Sequence, residues 1–230
     1  ELNNKFNIAN DSSIANYAFM FGGTNSNIDE ILRTNICEIP AVKLFLGSST
    51  GNMLVDDLDS LEKIFSNVEI PIAVHCEDEQ TVKNNLKLHV DTFGNDIPIN
   101  YHPRIRSEEA CFLSSSMAVS LAKKTGARLH VFHLSTAREL ELFSNTIPLK
   151  EKKITSEVCI HHLTFCDQDY DKYGSKIKWN PSIKSANDRD KLWEALNNDL
   201  IDVIATDHAP HTIEEKQNPY TSCPSGGPLV

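Results

Sequence analysis

The sequence predicts an α/β protein with a parallel sheet. Three observations predict it. Six short apolar runs, rich in Val, Ile and Phe, are mostly bounded by Gly, Pro, Asn or Asp. Amphipathic stretches of helical period separate most of them. Reactive side chains gather in or just past the C-terminal parts of those runs. Six strands with helical crossovers fit either an open doubly wound sheet or part of a (β/α)8 barrel. No glycine-rich phosphate loop follows any strand, which weakens the nucleotide-binding version.

In chain order, the strand candidates are Ala15–Phe21, Ala41–Leu46, Pro71–Cys76, Arg128–Leu134, Lys153–Val158 and Asp202–Thr206. The first crossover helix is expected over Asp56–Asn67, which starts acidic and puts Leu58, Leu61, Ile64 and Phe65 on one face. Further helices are expected over Glu77–Phe93, over Ser107–Thr125 with Gly126 as C-cap, over Thr136–Phe143 and over Asn187–Asn198. Gly94–Pro103 reads as an irregular insertion. No linker, repeat or low-complexity tract divides the chain, so residues 1–230 read as one domain.

Composition narrows the function classes. The 230 residues include 22 Lys+Arg against 32 Asp+Glu, a formal net charge of −10, with no long basic run. A broad phosphate-neutralising face for nucleic acid is not expected. No apolar run approaches the roughly 18 residues that span a bilayer. The start, ELNNKFNIANDSS, lacks the apolar core of a secretion signal. The six cysteines (37, 76, 111, 159, 166 and 223) form no CxxC pair, and Cys37, Cys76 and Cys111 sit in apolar contexts. Reduced, mostly buried thiols in a cytoplasmic protein are the expectation.

Position makes the reactive residues informative. Lys43 lies inside AVKLFLGSSTG, His75 closes PIAVHCED, and His133 closes RLHVFHLST. Glu157 and the pair His161–His162 lie in SEVCIHHLTF, and Asp207 closes IDVIATDHAPH. Taken singly, a histidine after a strand ordinarily satisfies a structural hydrogen bond, and an aspartate there is often a helix N-cap. A lysine within an apolar strand differs, because a buried unpaired ammonium costs several kcal/mol. Two His, one Lys and one Asp at matching ends of four strands point jointly to metal binding. A neutral lysine amine can take up carbon dioxide as a carbamate, whose two oxygens can bridge two metals. Two such ions acidify a shared water, and a neighbouring carboxylate can relay its proton to a leaving nitrogen. The expected chemistry is hydrolysis, or its reverse, at an amide-like carbon.

The segments AVKLFLGSSTGNMLVD, VHCEDE, HPRIRSEEAC, LHVFHLSTARELELF, EVCIHHLTF, NPSIK and ATDHAPHTIEEK resemble the dihydroorotase family of the amidohydrolase superfamily. The resemblance runs from about Tyr17 to the last residues. ATDHAPHTIEEK with HLSTA is the specific pair; KLF and HCED are weaker separately. It implies a (β/α)8 TIM-type barrel, here covering about strands 3–8. It also implies zinc-dependent, reversible cyclisation of N-carbamoyl-L-aspartate to L-dihydroorotate in pyrimidine synthesis. Residue by residue, it makes Lys43 the carbamylated bridge between two Zn2+ ions, and His75 and His133 ligands of the more exposed ion. Asp207 would bind the other ion and act as general base and acid. His211 would contact a substrate carboxylate, Asn180 the substrate, and Thr50, with Ser48 and Ser49, would supply hydroxyls over the ring. His161 and His162 would shape the pocket wall or serve structure. The family suggests a homodimer acting on a small molecule, away from nucleic acid and membrane.

This sequence departs from the family in two ways. NPSIK stands for NPPLR, so any anion contact of Lys184 would be single-point. No HxH pair occurs in the 230 residues, although the family carries one on its first strand, followed by a substrate-holding arginine. The first strand here resembles the family's third, and the last helix and tail after SGGPLV have no counterpart. The chain is therefore expected to be an internal portion of a longer polypeptide, poor in metal and inactive without the rest. Two other functions stay open. A hydantoinase- or allantoinase-type cyclic amidase would share the Lys, His and Asp frame but lack the His211 run. A silent scaffold relative would have lost ligands, whereas the four recognisable ones are filled.

Overall fold

The computed structural model describes residues 1–47 and 53–228. Six strands pair in chain order, every neighbouring pair parallel: β1 (Phe21–Gly22), β2 (Val42–Phe45), β3 (Ile72–His75), β4 (Leu129–Val131), β5 (Ile154–Cys159) and β6 (Val203–Ala205). Parallel neighbours require crossovers. α1 (Leu2–Ser12) precedes β1, α2 (Ile28–Arg33) joins it to β2, and α3 (Leu58–Asn67) leads to β3. α4 (Glu79–Phe93), α5 (His102–Ile105) and α6 (Glu108–Thr125) lie between β3 and β4. α7 (Ile160–Thr164), α8 (Tyr170–Tyr173) and α9 (Ala186–Asn197) lie between β5 and β6, and α10 (Ile213–Lys216) follows.

Local chemistry sets the helix ends. Asp57 caps α3 by accepting from Ser60 N at 2.7 Å, and Asp78 caps α4 by accepting from Thr81 N at 2.8 Å. α6 begins behind Ser107 with Glu108 and Glu109 and ends in Lys123 and Lys124, complementing its dipole. Gly126 then stops it with φ +77°, the left-handed C-cap expected there. α9 opens with a reciprocal Ser185–Asp188 capping box. Leu61, Ile64 and Phe65 of α3 are buried, while Leu58, assigned to the same face, stays exposed at the first turn.

The main core lies between β2, β3 and β4 and helices α3 and α6. Val42, Leu44, Ile72, Val74 and Val131 are fully buried there, with Leu61, Ile64 and Ala118. All four residues of β3 are buried, as in a sheet covered on both faces. Among the described residues β1 and β6 are the sheet edges. β6 accordingly leaves Val203 and Ile204 exposed.

Two segments depart from expectation. Of Ala15–Phe21, only Phe21 enters the ladder; the preceding residues have no neighbouring strand to pair with, and Tyr17 and Phe19 pack instead on Phe6 of α1. Thr136–Phe143 forms a 3₁₀ helix over Arg138–Leu142. The buried Glu139 carboxylate accepts from Ser115 Oγ at 2.6 Å, Thr136 Oγ1 at 2.9 Å and Ser135 N at 3.3 Å, pulling the first turn tight. The six cysteines are free and five are buried, but Cys37 is exposed.

One interaction fastens the edge strand. Lys152 Nζ lies 2.7 Å from Asp202 Oδ1, with both side chains at most 5% exposed. The other oxygen, Asp202 Oδ2, accepts from Ser156 N at 3.0 Å. Asp202→Ala leaves that ammonium uncompensated and should cost about 3–5 kcal/mol. Urea unfolding measures it, and a loss under about 1 kcal/mol would contradict this account.

Candidate active site

Register explains why distant residues meet. Lys43 pairs with Ala73, Ala73 with His130, and Phe45 with His75. His130 pairs with Thr155, and Glu157 with Val203. Side chains alternate with period two, so Lys43, His75, His130, Thr155 and Glu157 share one face. Contacts agree: His130 lies 2.9 Å from Thr155 Oγ1 and 3.1 Å from Glu157 Oε2. Continued alternation would put His133 on the opposite face. Its φ of +35° breaks the alternation and returns the ring to His75. Asp207 also has a left-handed φ, +46°, just after β6.

The two histidines form the centre of the site. His75 Nδ1 and His133 Nε2 face each other at 3.1 Å, in a buried place. His75 Nε2 lies 3.0 Å from Glu77 Oε2, which also accepts from Arg106 Nη1 at 2.5 Å. His133 Nδ1 is buried without a hydrogen-bond partner among the described residues. Burial lowers the His75 pKa against the pull of Glu77, and lowers that of His133 further, with His75 and Lys43 adding to the effect. Both rings are held neutral. Burial pushes the Glu77 carboxyl up, but the Arg106 guanidinium and the His75 hydrogen bond override it and hold it at about 2.

Lys43 and Asp207 complete the neighbourhood electrostatically. Burial lowers the Lys43 pKa to about 8, opposed by Cys76, Asp207 and Glu157. Its Nζ lies over the Phe132 ring, 3.8 Å from the centroid, and 4.8 Å from that of Phe45. Burial raises the Asp207 pKa, while His75 and Lys43 pull it back. The structure thus brings Lys43 and His75 within electrostatic reach of each other and of both His133 and Asp207, with direct side-chain contact at His75–His133.

No group of three or more His, Cys, Asp or Glu side chains within reach of one ion occurs among the described residues. The donors present still suit a divalent ion. Two nitrogens bonded to one zinc at about 2.0–2.1 Å stand roughly 3 Å apart, as His75 Nδ1 and His133 Nε2 do.

The expected substrate contacts are placed less directly. Asn180 Oδ1 accepts from Ser225 Oγ at 3.0 Å. His211 Nδ1 lies 3.6 Å from Glu215 Oε2 and the side chain is partly exposed. Thr50, Ser48 and Ser49 lie outside the described residues. Lys184 is buried and donates to Ser182 Oγ at 2.8 Å and Ser182 O at 3.2 Å, so its ammonium is engaged within the fold. His161 stacks on Trp179, with centroids 4.4 Å apart and planes at 8°, and His162 Nε2 lies 3.1 Å from Pro181 O. Burial depresses both histidines. Sequence reasoning passed over Glu77, Arg106, Phe132 and His130. Glu77 was visible as a carboxylate two residues past a strand-ending histidine. Arg106, 29 residues further on, gave no signal.

Five buried histidines (His75, His102, His133, His161 and His162) have pKa values below 6.5. Below pH 6.5 the unfolded chain binds protons that the folded chain refuses, so stability falls with pH. The limit is about 1.4 kcal/mol per pH unit for each group. Asp207 and Glu139, with their raised pKa values, work in the opposite direction but are two groups against five. Urea midpoints should drop steeply from pH 7.5 to pH 5; a flat profile would refute the buried-neutral assignment.

The chain matches no model of a known protein family. Among curated proteins it is 32% identical over 228 residues to a dihydroorotase of Methanosphaera stadtmanae (strain ATCC 43021 / DSM 3091 / JCM 11832 / MCB-3), covering 97% of this chain and 50% of that protein. It is 35% identical over 164 residues to a dihydroorotase of Geobacillus thermodenitrificans (strain NG80-2), covering 69% of this chain and 36% of that one. Half or less of each relative's length is thus spanned. Among solved structures, an L-hydantoinase (dihydropyrimidinase) from Arthrobacter aurescens aligns with TM-score 0.88 and 24% identity, over 98% of this chain and 51% of that one. A dihydroorotase from Saccharomyces cerevisiae, in complex with 5-fluoroorotic acid, aligns with TM-score 0.68 and 16% identity, over 98% and 61%. The six parallel strands and their helices thus share the TIM-barrel architecture of these solved structures, of which the chain covers a half to three fifths.

Proposed function

Starting from its relationship to the dihydroorotases, we propose that this chain carries most of the catalytic face of a metal-dependent cyclic amidase that interconverts N-carbamoyl-L-aspartate and L-dihydroorotate. The observation that supports this best is the pairing of His75 Nδ1 with His133 Nε2 at 3.1 Å, within the electrostatic reach of Lys43 and Asp207.

In this reading His75 and His133 would hold one Zn2+ and Asp207 a second, and Lys43, once carbamylated, would contribute anionic oxygens to the same centre. A pKa near 8 leaves roughly one Lys43 in ten as free amine at neutral pH, against fewer than about one in a thousand for an ordinary lysine, and only the free amine can form the carbamate. The bound ions supply acidified water and a polarised amide carbonyl. Asp207 handles the proton. It takes one from the attacking water and passes it to the ring nitrogen as the C–N bond breaks; in reverse it receives it from the carbamoyl nitrogen as the ring closes. A carboxyl whose pKa is raised by burial is better suited to hold that proton in transit. Asn180 and His211 serve as substrate contacts, and the run Asp207–His211 favours a dihydroorotate-type ring over a hydantoin. Thr50 keeps its role over the ring as part of this proposal.

Asp207→Ala in the complete protein should reduce dihydroorotate turnover by at least about 100-fold. Zinc content should approach two ions per chain in the parent. Retained turnover in the variant would reject the role of Asp207. Faster hydrolysis of hydantoin than of dihydroorotate would favour the neighbouring cyclic amidases, and near-zero metal a silent scaffold.

A further inference from the structure

The carboxylate of Glu77 is fully buried two residues beyond His75. A single oxygen, Oε2, meets both His75 Nε2 and Arg106 Nη1, at 3.0 and 2.5 Å. An ionised carboxylate only accepts and a guanidinium only donates. The hydrogen bond to His75 therefore requires the proton on Nε2. In a neutral ring that leaves Nδ1 bare, and Nδ1 is the atom turned toward His133 Nε2.

We propose that Glu77, anchored by Arg106, is a positioning residue that fixes the tautomer and rotation of His75 so that Nδ1 is presented as a ligand to a divalent cation. The proposal rests on the reading of His75 as a metal ligand given above. Three contacts fix Glu77, one at its backbone, one at its carboxylate and one behind its arginine. Gly47, at the exit of β2, abuts the Glu77 backbone so closely that a Cβ there would lie 1.7 Å from Glu77 O. Arg106, at the end of α5, reaches the carboxylate from the far side. The Arg106 carbonyl accepts from Ser182 Oγ at 3.0 Å, which ties the anchor to the loop that carries Asn180. An imidazole free to rotate would share its lone pair between orientations; this one is held at a single face. Such partners of ligating histidines typically govern metal affinity by about 10–100-fold.

The test uses the complete protein and reads His75 directly. Long-range 15N–1H correlation on the metal-free parent should show Nε2 protonated and Nδ1 bare. Glu77→Leu should shift the ring toward the other tautomer, and competition with a chelator should show zinc affinity reduced by about 10–100-fold. Glu77→Gln retains an acceptor oxygen of the same reach, should fold where the leucine variant does not, and should lose less. A merely structural ion pair would lower the unfolding midpoint of these variants while leaving tautomer and zinc affinity alone. An unchanged tautomer with zinc affinity within about twofold of the parent, in whichever variant folds, overturns this inference alone. A parent that binds no zinc overturns the metal reading, and the role of Glu77 with it.

Discussion

The constraint on which the rest depends is the shared direction of six strands. Parallel pairing in chain order sends every strand's C-terminal end to one rim. Residues separated by more than a hundred positions then meet at that rim without any local signal linking them. Lys43, His75, His133 and Asp207 come together because each lies in or just past a strand, and the register of those strands fixes their relative height. The central strands tolerate this polar rim because their other face, through Val42, Leu44, Ile72, Val74 and Val131, is buried in the core shared with α3 and α6.

Charge at the rim is organised by burial as much as by pairing. Desolvation keeps His75, His133, His161 and His162 neutral and lowers Lys43, so the site favours uncharged nitrogen donors. Glu77 is the counterexample, a buried carboxylate kept ionised by Arg106. Neutral imidazoles beside a fixed anion are the condition in which ring nitrogens offer lone pairs. A Lys43 ammonium that gives up its proton more readily than an ordinary lysine, near two carboxylates, belongs to the same pattern.

The edges behave differently. β1 contributes two residues and β6 three, and both lack a second neighbour among the described residues. Val203 and Ile204 remain exposed for that reason. Lys152 and Asp202 hold β6 to the sheet through a desolvated ion pair where apolar burial is thin.

The sequence by itself determined the strand–helix alternation, the placement of Lys43 within a strand and of His75 and Asp207 at or just past strand ends, and the C-cap at Gly126. These rest on period, β-branched content and capping chemistry, all of which act over a few residues. Tertiary structure alone decided three matters. His133 turns toward His75 through a left-handed backbone that no strand pattern foretells. Glu77 and Arg106 pair across 29 residues, a contact between the segment just past β3 and the end of α5. The Thr136–Phe143 segment tightened into a 3₁₀ turn because buried hydroxyls captured Glu139. In each case the deciding partner lies outside the window in which local periodicity operates, so only the assembled sheet could select it.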